Sequence, residues 1–204
     1  MPQILVLAAH PQLEHSRVNR ALMRAALAAA SSLALPGLQL RDLYSLYPDY
    51  LVDVAAEREA LAAAELVIWL HPLHWYGMPP LLRLWLDEVL GFGWAYGPGG
   101  RALVGKDVWL VTSTGGAQQA YHPNGHNRYF FDAFLPPYEQ TVELCGMRFL
   151  PPLVLHGAHR VSDAALAAHV QVFIERLASY PAWPEMAELD ACEVRDVPAD
   201  DRPK

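Results

Sequence analysis

The chain has 204 residues, of which 53% are hydrophobic and 18% are charged, and its formal net charge is −7 at pH 7. These values predict one globular domain with a substantial core and exclude a disordered chain. The acidic balance, without any run of Lys or Arg, argues against binding to nucleic acid. The two cysteines, Cys145 and Cys192, are too few for a disulfide framework and lack metal-ligand spacing. We therefore expect no metal site and a reducing, cytoplasmic compartment.

Neither a secretory signal nor a membrane span is expected. The N-terminal segment Met1–Gln12 has no charged region before its apolar run. The most membrane-like stretch, Leu66–Leu86, contains two histidines, three prolines and an arginine. These residues would leave polar groups and broken backbone in lipid, so the stretch predicts a buried strand, a loop and a helix in succession.

Predicted strands alternate with predicted helices along the chain. The strands are Gln3–Ala9, Leu38–Leu43, Glu65–His71, Lys106–Ser113 and Arg148–Leu155, and the helices are Ser16–Ala30, Val54–Ala64, Pro79–Leu90, Phe131–Cys145 and Ser162–Ser179. Pro136 and Pro137 should kink or interrupt the fourth helix. Pro151 and Pro152 should interrupt the last strand and place it at an edge of the sheet. The pattern predicts an α/β fold with a parallel sheet covered on both faces, in either the flavodoxin-like order 2-1-3-4-5 or the Rossmann order.

The last 24 residues differ in composition from the rest. Pro181–Lys204 contains seven acidic residues, three basic residues and four prolines. We therefore expect a domain over residues 1–180 and an acidic tail over residues 181–204. This tail is either solvated and mobile, or it packs on a partner subunit through Trp183 and Met186.

Loops after the first, third and fourth strands should meet at one edge of a doubly wound sheet. They are His10–Asn19, Pro72–Met78 and Thr114–Asn127. The first loop lacks the glycine motifs of Rossmann dinucleotide sites and of P-loop nucleotide sites, which disfavours both. It offers His10, Ser16 and Asn19 around a helix N-terminus, where free amides and the helix dipole favour a phosphate. Ordinary helix capping by Ser16 and a solvated His10 are the alternative interpretation.

The other two loops suit a planar ligand. The run from Pro72 to Gly77 places several flat rings after a buried strand, although Trp75 or Tyr76 could instead pack in the core. The third loop begins at Thr114 with two glycines, which let backbone amides approach a ring carbonyl. A simple tight turn is the alternative there.

Together these motifs resemble the flavin-dependent NAD(P)H:quinone oxidoreductases. The motifs are Ala9-His10-Pro11 with Ser16 and Asn19, the run His71–Asp87, the loop Gly93–Gly100, and Thr114–Gly116. Within that family the chain looks most like the ancillary oxidoreductases of glutathione-gated potassium-efflux antiporters, over about residues 3 to 180. The resemblance implies a flavodoxin-like three-layer sandwich of order 2-1-3-4-5, a homodimer, and a flavin at the carboxyl edge of the sheet.

The resemblance also implies roles for particular residues. The flavin phosphate would be bound by His10, Ser16 and Asn19, its ring would be lined by Pro72, Leu73, His74, Trp75 and Tyr76, and its pyrimidine end would contact Thr114, Gly115 and Gly116. Tyr121 and His126 are the expected catalytic residues, although their spacing differs by one residue from the family pattern. The short chain, without a match to the adenine-binding residues of FAD-binding members, favours FMN over FAD.

The implied reaction is a two-electron ping-pong transfer. NADH or NADPH passes a hydride to the flavin and leaves, and a quinone then accepts two electrons. The alternative is a regulatory subunit that binds and activates a potassium-efflux antiporter at the inner face of the cell membrane, with catalysis secondary. A one-electron flavodoxin-type carrier is disfavoured, because His10-Pro11-Gln12-Leu13 stands where such carriers have a hydroxyl-rich loop.

A two-fold interface is expected near the Gly93–Gly100 loop and the helix Pro79–Leu90. That helix has more apolar residues than one buried face requires, namely Leu81, Leu82, Leu84, Trp85 and Leu86. Burial of all five in the core of the chain is the alternative explanation.

Overall fold

The computed structural model describes residues 2–32 and 35–189. Its centre is a five-stranded sheet of order β2-β1-β3-β4-β5, and every neighbouring pair is parallel. The strands are β1 (Ile4–Ala8), β2 (Leu38–Asp42), β3 (Leu66–Pro72), β4 (Asp107–Ser113) and β5 (Arg148–Leu155). The predicted α/β class and the 2-1-3-4-5 order are confirmed.

Six helices connect the strands within the described residues. They are α1 (Arg17–Ser31), α2 (Leu43–Leu46), α3 (Val54–Ala63), α4 (Pro80–Val89), α5 (Pro136–Leu144) and α6 (Asp163–Ser179). Three begin at a side-chain cap: Ser16, Asp53 and Ser162 each accept a hydrogen bond from the backbone N–H three residues later. The short α2 was not predicted, because it follows β2 directly and the apolar run continues through Leu43.

Apolar side chains pack on both faces of the sheet. Along β1, Leu5 and Leu7 belong to one buried cluster, with residues of α3, α4 and α5. Ile4 and Val6 belong to the other, with residues of α1 and α6. The strands β1, β3 and β4 are buried along their whole length, because helices cover both faces. The result is the expected three-layer sandwich.

The two proline pairs act differently from each other. The predicted helix Phe131–Cys145 is interrupted, as expected: a 3-10 turn covers Phe131–Phe134, and α5 begins at Pro136, where the missing N–H costs nothing. Strand β5 is an edge strand, as predicted, but it is continuous. Pro151 and Pro152 lie where the pairing with β4 shifts register, so the strand takes up the prolines in a local irregularity and goes on.

The beginning of the predicted tail packs on its own chain. Trp183 is 4% exposed, and its ring lies 4.9 Å from that of Trp109. Its Nε1 donates to the backbone oxygen of Arg176 at 2.8 Å. The expectation of a solvated position is wrong for Trp183, because the residue is buried against its own chain. A contact of this segment with a partner subunit stays a prediction. The packed domain extends past residue 180, and the tail from residue 190 onward lies outside the described residues.

Burial in the core of this chain accounts for most of the apolar residues of helix α4. Leu81, Leu82, Trp85 and Leu86 are buried within the chain, and Leu84 is partly buried. Their number therefore gives no support to the expected interface, and the homodimer stays a prediction. No helix in the described part of the chain is long and apolar enough to cross a membrane.

Candidate functional site

A cleft of about 470 Å³ opens at the carboxyl edge of the sheet, where the strand order reverses between β1 and β3. Ligands in open α/β sheets bind at such a switch point. Eight of the predicted cofactor-binding residues line this cleft: His10, Ser16, Asn19, Pro72, Leu73, His74, Thr114 and Gly115. The sequence prediction therefore selected residues that the fold brings together from three separate loops.

The N-terminus of α1 forms one end of the cleft. The Ser16 hydroxyl accepts from the backbone N–H of Asn19 at 3.1 Å and from its side-chain amide at 3.2 Å. The same amide donates to Ser113 Oγ at 3.1 Å. Asn19 is 1% exposed, and its Oδ1 has no hydrogen-bond partner among the described residues. A buried acceptor without a partner beside free helix amides is suited to a ligand that carries both hydroxyls and a phosphate.

Histidines supply most of the basic groups around this end of the cleft. His10, His15, His74 and His159 all line it. The adjacent Arg17 is already paired with Asp163 at 2.6 Å. The pKa of His10 lies below its ordinary value, chiefly because of burial and secondly because of His74. Burial also lowers the pKa of His74. Both are therefore neutral at pH 7 and act as polar hydrogen-bonding groups.

His10 has a defined tautomer. Its Nδ1 accepts from the backbone N–H of Gln12 at 3.0 Å, which places the proton of the neutral ring on Nε2. The ring of His10 meets that of His74 edge to face, with centroids 6.1 Å apart. The structure does not support the alternative interpretation of a solvated His10, because this residue is only partly exposed.

The second loop is a tight turn with unusual backbone angles. Reciprocal backbone hydrogen bonds of 3.0 and 2.9 Å join His74 and Gly77. Between them, Trp75 and Tyr76 have φ values of 48° and 64°. Two left-handed residues define a turn that Asn-Gly normally occupies, so bulky aromatics are strained here, as often happens at functional sites.

The aromatic rings of this turn are not core residues. Trp75 is 95% exposed and Tyr76 is 50% exposed, which excludes the core-packing interpretation. The ring of Tyr76 stacks on Phe134 at 5.2 Å, and its hydroxyl donates to Asn127 Oδ1 at 3.3 Å. Neither residue lines the cleft itself, but both follow His74, which does, and both rings are accessible to a ligand.

The third loop is fixed to the end of β5. Thr114 N–H donates to the backbone oxygen of Leu155 at 2.9 Å, and the Thr114 hydroxyl donates to that of Gly116 at 2.7 Å. A Cβ at Gly115 would lie 3.4 Å from His159 Nε2, and one at Gly116 would lie 3.4 Å from the Tyr121 ring. The turn is thus tight as well as glycine-rich, and larger residues would fill the space where its backbone can approach a ligand.

The two predicted catalytic residues are placed very differently. Tyr121 is 8% exposed and lies against Phe131, Phe134 and His156, with ring centroids 5.2 to 5.9 Å away. Burial raises the pKa of Tyr121, and hydrogen bonds with Thr114 and Asn127 partly oppose that rise. His126 is exposed, and it has no hydrogen bond or ring contact with any described residue. The fold brings Tyr121 to the Thr114 turn and leaves His126 outside it.

Sequence reasoning missed His156. This residue directly follows β5, and its Nδ1 lies 3.0 Å from Thr114 Oγ1. The available signal was its position after the fifth strand, at the same sheet edge as the other loops. No motif contained it, and the resemblance did not mark it.

Comparison with known proteins agrees with this architecture. The chain belongs to the flavodoxin-like fold family, whose sequence model matches residues 2–177. It is 41% identical to the glutathione-regulated potassium-efflux system ancillary protein KefF of Citrobacter koseri over 182 residues, which is 89% of this chain and 97% of that protein.

Two solved structures share the fold over nearly their whole length. The general stress protein 14 of Treponema denticola, determined in complex with FMN, has a TM-score of 0.79 and 31% identity, covering 87% of this chain and 99% of the other. A Klebsiella pneumoniae protein assigned to the quinone reductases has a TM-score of 0.74 and 25% identity, covering 90% of this chain and 86% of the other.

Proposed function

We propose that this protein is a flavin-dependent NAD(P)H:quinone oxidoreductase that uses FMN. The observation that carries the proposal is the convergence, at one switch point, of a helix N-terminus, a turn of exposed aromatic rings and a glycine turn. The buried, unpartnered Oδ1 of Asn19 fits a polyhydroxylated phosphate ester in the same cleft. The FMN bound by the Treponema relative and the quinone reductase assignment of the Klebsiella structure support the same reading.

Each loop has a separate task in this proposal. The amides at the start of α1, with Ser16 and Asn19, bind the phosphate, and the turn at Trp75 and Tyr76 orients the ring system. The bound flavin supplies hydride transfer between the nicotinamide and the acceptor. The Thr114 amide is bonded to Leu155, so the backbone amides of Gly115 and Gly116 are the ones that would donate to negative charge on the flavin ring.

Tyr121 provides a hydrogen-bond donor for the acceptor. Reduction of a quinone to a quinol takes up two electrons and two protons; a hydride brings both electrons and one proton, so a second proton is needed. The raised pKa of Tyr121 keeps its hydroxyl protonated at neutral pH. It can donate that proton to the developing oxyanion and recover one from water afterwards.

A regulatory role is the second candidate, and the KefF similarity favours it. The match covers 97% of a relative named as an ancillary protein of a potassium-efflux system. In this candidate function the chain binds and activates an antiporter at the inner face of the membrane, as a homodimer, with catalysis secondary. Light scattering of the purified protein tests the dimer.

The first experiment identifies the cofactor. Purified protein is denatured, and the released flavin is compared with FMN and FAD by chromatography; we expect one FMN per chain. Stopped-flow mixing with NADH or NADPH, and then with a quinone, measures the two half-reactions separately. A colourless protein that binds neither flavin when titrated would contradict the proposal.

The second experiment separates catalysis from regulation. Potassium efflux through an antiporter of the glutathione-gated class is measured in vesicles, with wild-type protein or Tyr121→Phe added. Activation by both proteins, with quinone turnover lost only in the variant, would assign the main role to the regulatory function. Turnover with no effect on efflux would assign it to the enzyme.

A further inference from the structure

His156 lies between the Thr114 turn and the ring of Tyr121. Its Nδ1 is 3.0 Å from Thr114 Oγ1, and its ring centroid is 5.2 Å from that of Tyr121 at an interplanar angle of 43°. On its other side the ring meets Phe131 edge to face, also at 5.2 Å. The imidazole is thus held between two aromatic rings and the Thr114 hydroxyl. It therefore contacts both the Thr114 turn and Tyr121, which the proposed reaction uses on the acceptor side.

The hydrogen bonds of Thr114 favour one direction for its bond with His156. The Thr114 hydroxyl has a single proton, and the backbone oxygen of Gly116, which can only accept, lies 2.7 Å away. When the proton is donated there, the Thr114 oxygen accepts from His156 Nδ1, and that nitrogen carries a proton. Burial lowers the pKa of His156, and the ring is neutral at pH 7. The neutral ring is therefore in the Nδ1–H tautomer, which leaves Nε2 without a proton.

This bond fixes a hydroxyl on the turn that Tyr121 packs against. A Cβ at Gly116 would lie 3.4 Å from the Tyr121 ring, and the side chains of Thr114 and Asn127 both lower the pKa of Tyr121, so they lie on the side of its hydroxyl. Asn127 in turn accepts from Tyr76. Without His156, the Thr114 hydroxyl would lose one of the groups that set its rotamer. The histidine assigned from the family pattern, His126, is exposed and can make no such contact in this structure.

We propose that His156 is the positioning residue for Tyr121, acting through the Thr114 hydroxyl and through ring packing, in the place that the sequence pattern gave to His126. This inference rests on the proposed function for its effect on turnover. The geometry itself can be tested without any flavin reaction.

Three variants separate the hydrogen bond from the packing. His156→Phe keeps a ring between Tyr121 and Phe131 and removes the bond to Thr114. His156→Asn restores an N–H near the position of Nδ1 without the ring. Ser31→Ala changes an exposed residue at the end of α1 that lies away from the cleft, and it serves as the control. Thermal unfolding confirms that each variant is folded before it is compared.

Nuclear magnetic resonance of the purified protein gives the readout that does not depend on activity. We expect the ¹⁵N spectrum to show His156 with its proton on Nδ1. The ¹³Cζ resonance of Tyr121, assigned by its loss in Tyr121→Phe, should move in His156→Phe, return towards its original position in His156→Asn, and stay in place in Ser31→Ala. A resonance unmoved in His156→Phe, or a proton on Nε2, would overturn the proposal even if the protein is an active reductase.

Kinetics then test the coupling. The reoxidation of the reduced flavin by a quinone should slow by about 100-fold in His156→Phe and in Tyr121→Phe, the lower end of the range for one positioned acid. The double variant should be no slower than Tyr121→Phe alone, because both changes remove one function. If the rate loss in the double variant equals the product of the losses in the two single variants, His156 and Tyr121 act independently, and the proposed coupling is overturned. A protein that binds no flavin but passes the resonance test would contradict the proposed function and leave the positioning of Tyr121 intact.

Discussion

The side-chain amide of Asn19 donates to the hydroxyl of Ser113 at 3.1 Å, and this bond joins the first turn of α1 to the end of β4. Both residues are buried, with exposed fractions of 1% and 3%. The bond therefore sets the distance between the proposed phosphate end and pyrimidine end of the site. Ser16, which caps α1, shares the same amide.

The first prediction follows from this bond. Asn19→Ala should lower the free energy of unfolding by about 1–3 kcal/mol, because Ser113 loses a buried partner. It should also weaken flavin binding by roughly 10-fold, the equivalent of about 1.4 kcal/mol. Urea unfolding and flavin-fluorescence titration measure the two effects. Ser31→Ala, an exposed change at the other end of α1, is the control, expected within about 0.5 kcal/mol of wild type. Equal behaviour of the two variants would refute the joining role of Asn19.

The second prediction concerns the buried carboxylate of Glu57, which is fully buried on α3. It accepts from Arg41 Nε at 2.7 Å, from the Tyr47 hydroxyl at 2.5 Å and from Trp85 Nε1 at 2.9 Å. Glu57→Ala leaves the arginine without its ion-pair partner, so the free energy of unfolding should fall by about 3–5 kcal/mol.

The matched control for Glu57 is an exposed ion pair on α4. Arg83 and Asp87 lie 3.4 Å apart with more than half of each side chain exposed. Asp87→Ala should therefore change the free energy of unfolding by less than about 1 kcal/mol. Similar losses in the two variants would show that burial does not decide the strength of these pairs. Flavin content should be unchanged in both, because neither pair lines the cleft.

The third prediction is a pH dependence that arises from His71. This residue is fully buried, and burial lowers its pKa from 6.5 to about 4. Below pH 6.5 the unfolded chain binds a proton that the folded chain does not, so the free energy of unfolding decreases as the pH falls towards 4 and then levels off. Between pH 6.5 and pH 5 this group alone should remove about 2 kcal/mol.

Comparison with a variant isolates this contribution. His71→Phe keeps a ring against Tyr138, whose ring centroid lies 5.8 Å from that of His71, and removes the titrating group. Urea unfolding from pH 7.5 to pH 5 should then show that the free energy of unfolding falls less steeply with decreasing pH than in wild type. The difference in slope should correspond to nearly one bound proton. Leu51→Asn, an exposed change that involves no titrating group, should keep the wild-type slope. If the slopes of wild type and His71→Phe coincide, His71 does not titrate as proposed.

Strand positions were predictable because buried parallel strands are apolar on both faces. The bounds of β3 and β4 differ by only one residue from those predicted, and the loops after β1, β3 and β4 meet as the doubly wound order requires. The positions of Ser16 and Asn19 were also predictable, since a cap and a side chain three residues later share one helix turn. Local patterns therefore located most of the proposed flavin site.

Contacts that depend on pairing between distant segments were not predictable in this way. His156 reaches Thr114 because β4 and β5 pair with Ser113 opposite Leu155, and no local pattern carries that register. Trp183 was placed in a tail because its neighbours are charged and proline-rich. Its contact with Trp109 comes from the segment after α6, which folds back onto the sheet, and composition does not reveal this.

The last prediction concerns the strained turn at the mouth of the cleft. Trp75 has a φ of 48°, which Asn adopts more readily than an aromatic residue, and its side chain is 95% exposed. Trp75→Asn should therefore raise the free energy of unfolding by about 1 kcal/mol, through relief of backbone strain with almost no lost packing. If Trp75 lines the flavin ring, the same variant should bind FMN roughly 10-fold more weakly, a change of about 1.4 kcal/mol.

Leu51→Asn is the control, because Leu51 is 76% exposed and is not a positive-φ residue. It should leave both quantities nearly unchanged, as measured by urea unfolding and fluorescence titration. A stabilised variant with unaltered FMN affinity would remove Trp75 from the proposed site, and a destabilised one would show that the turn is not strained.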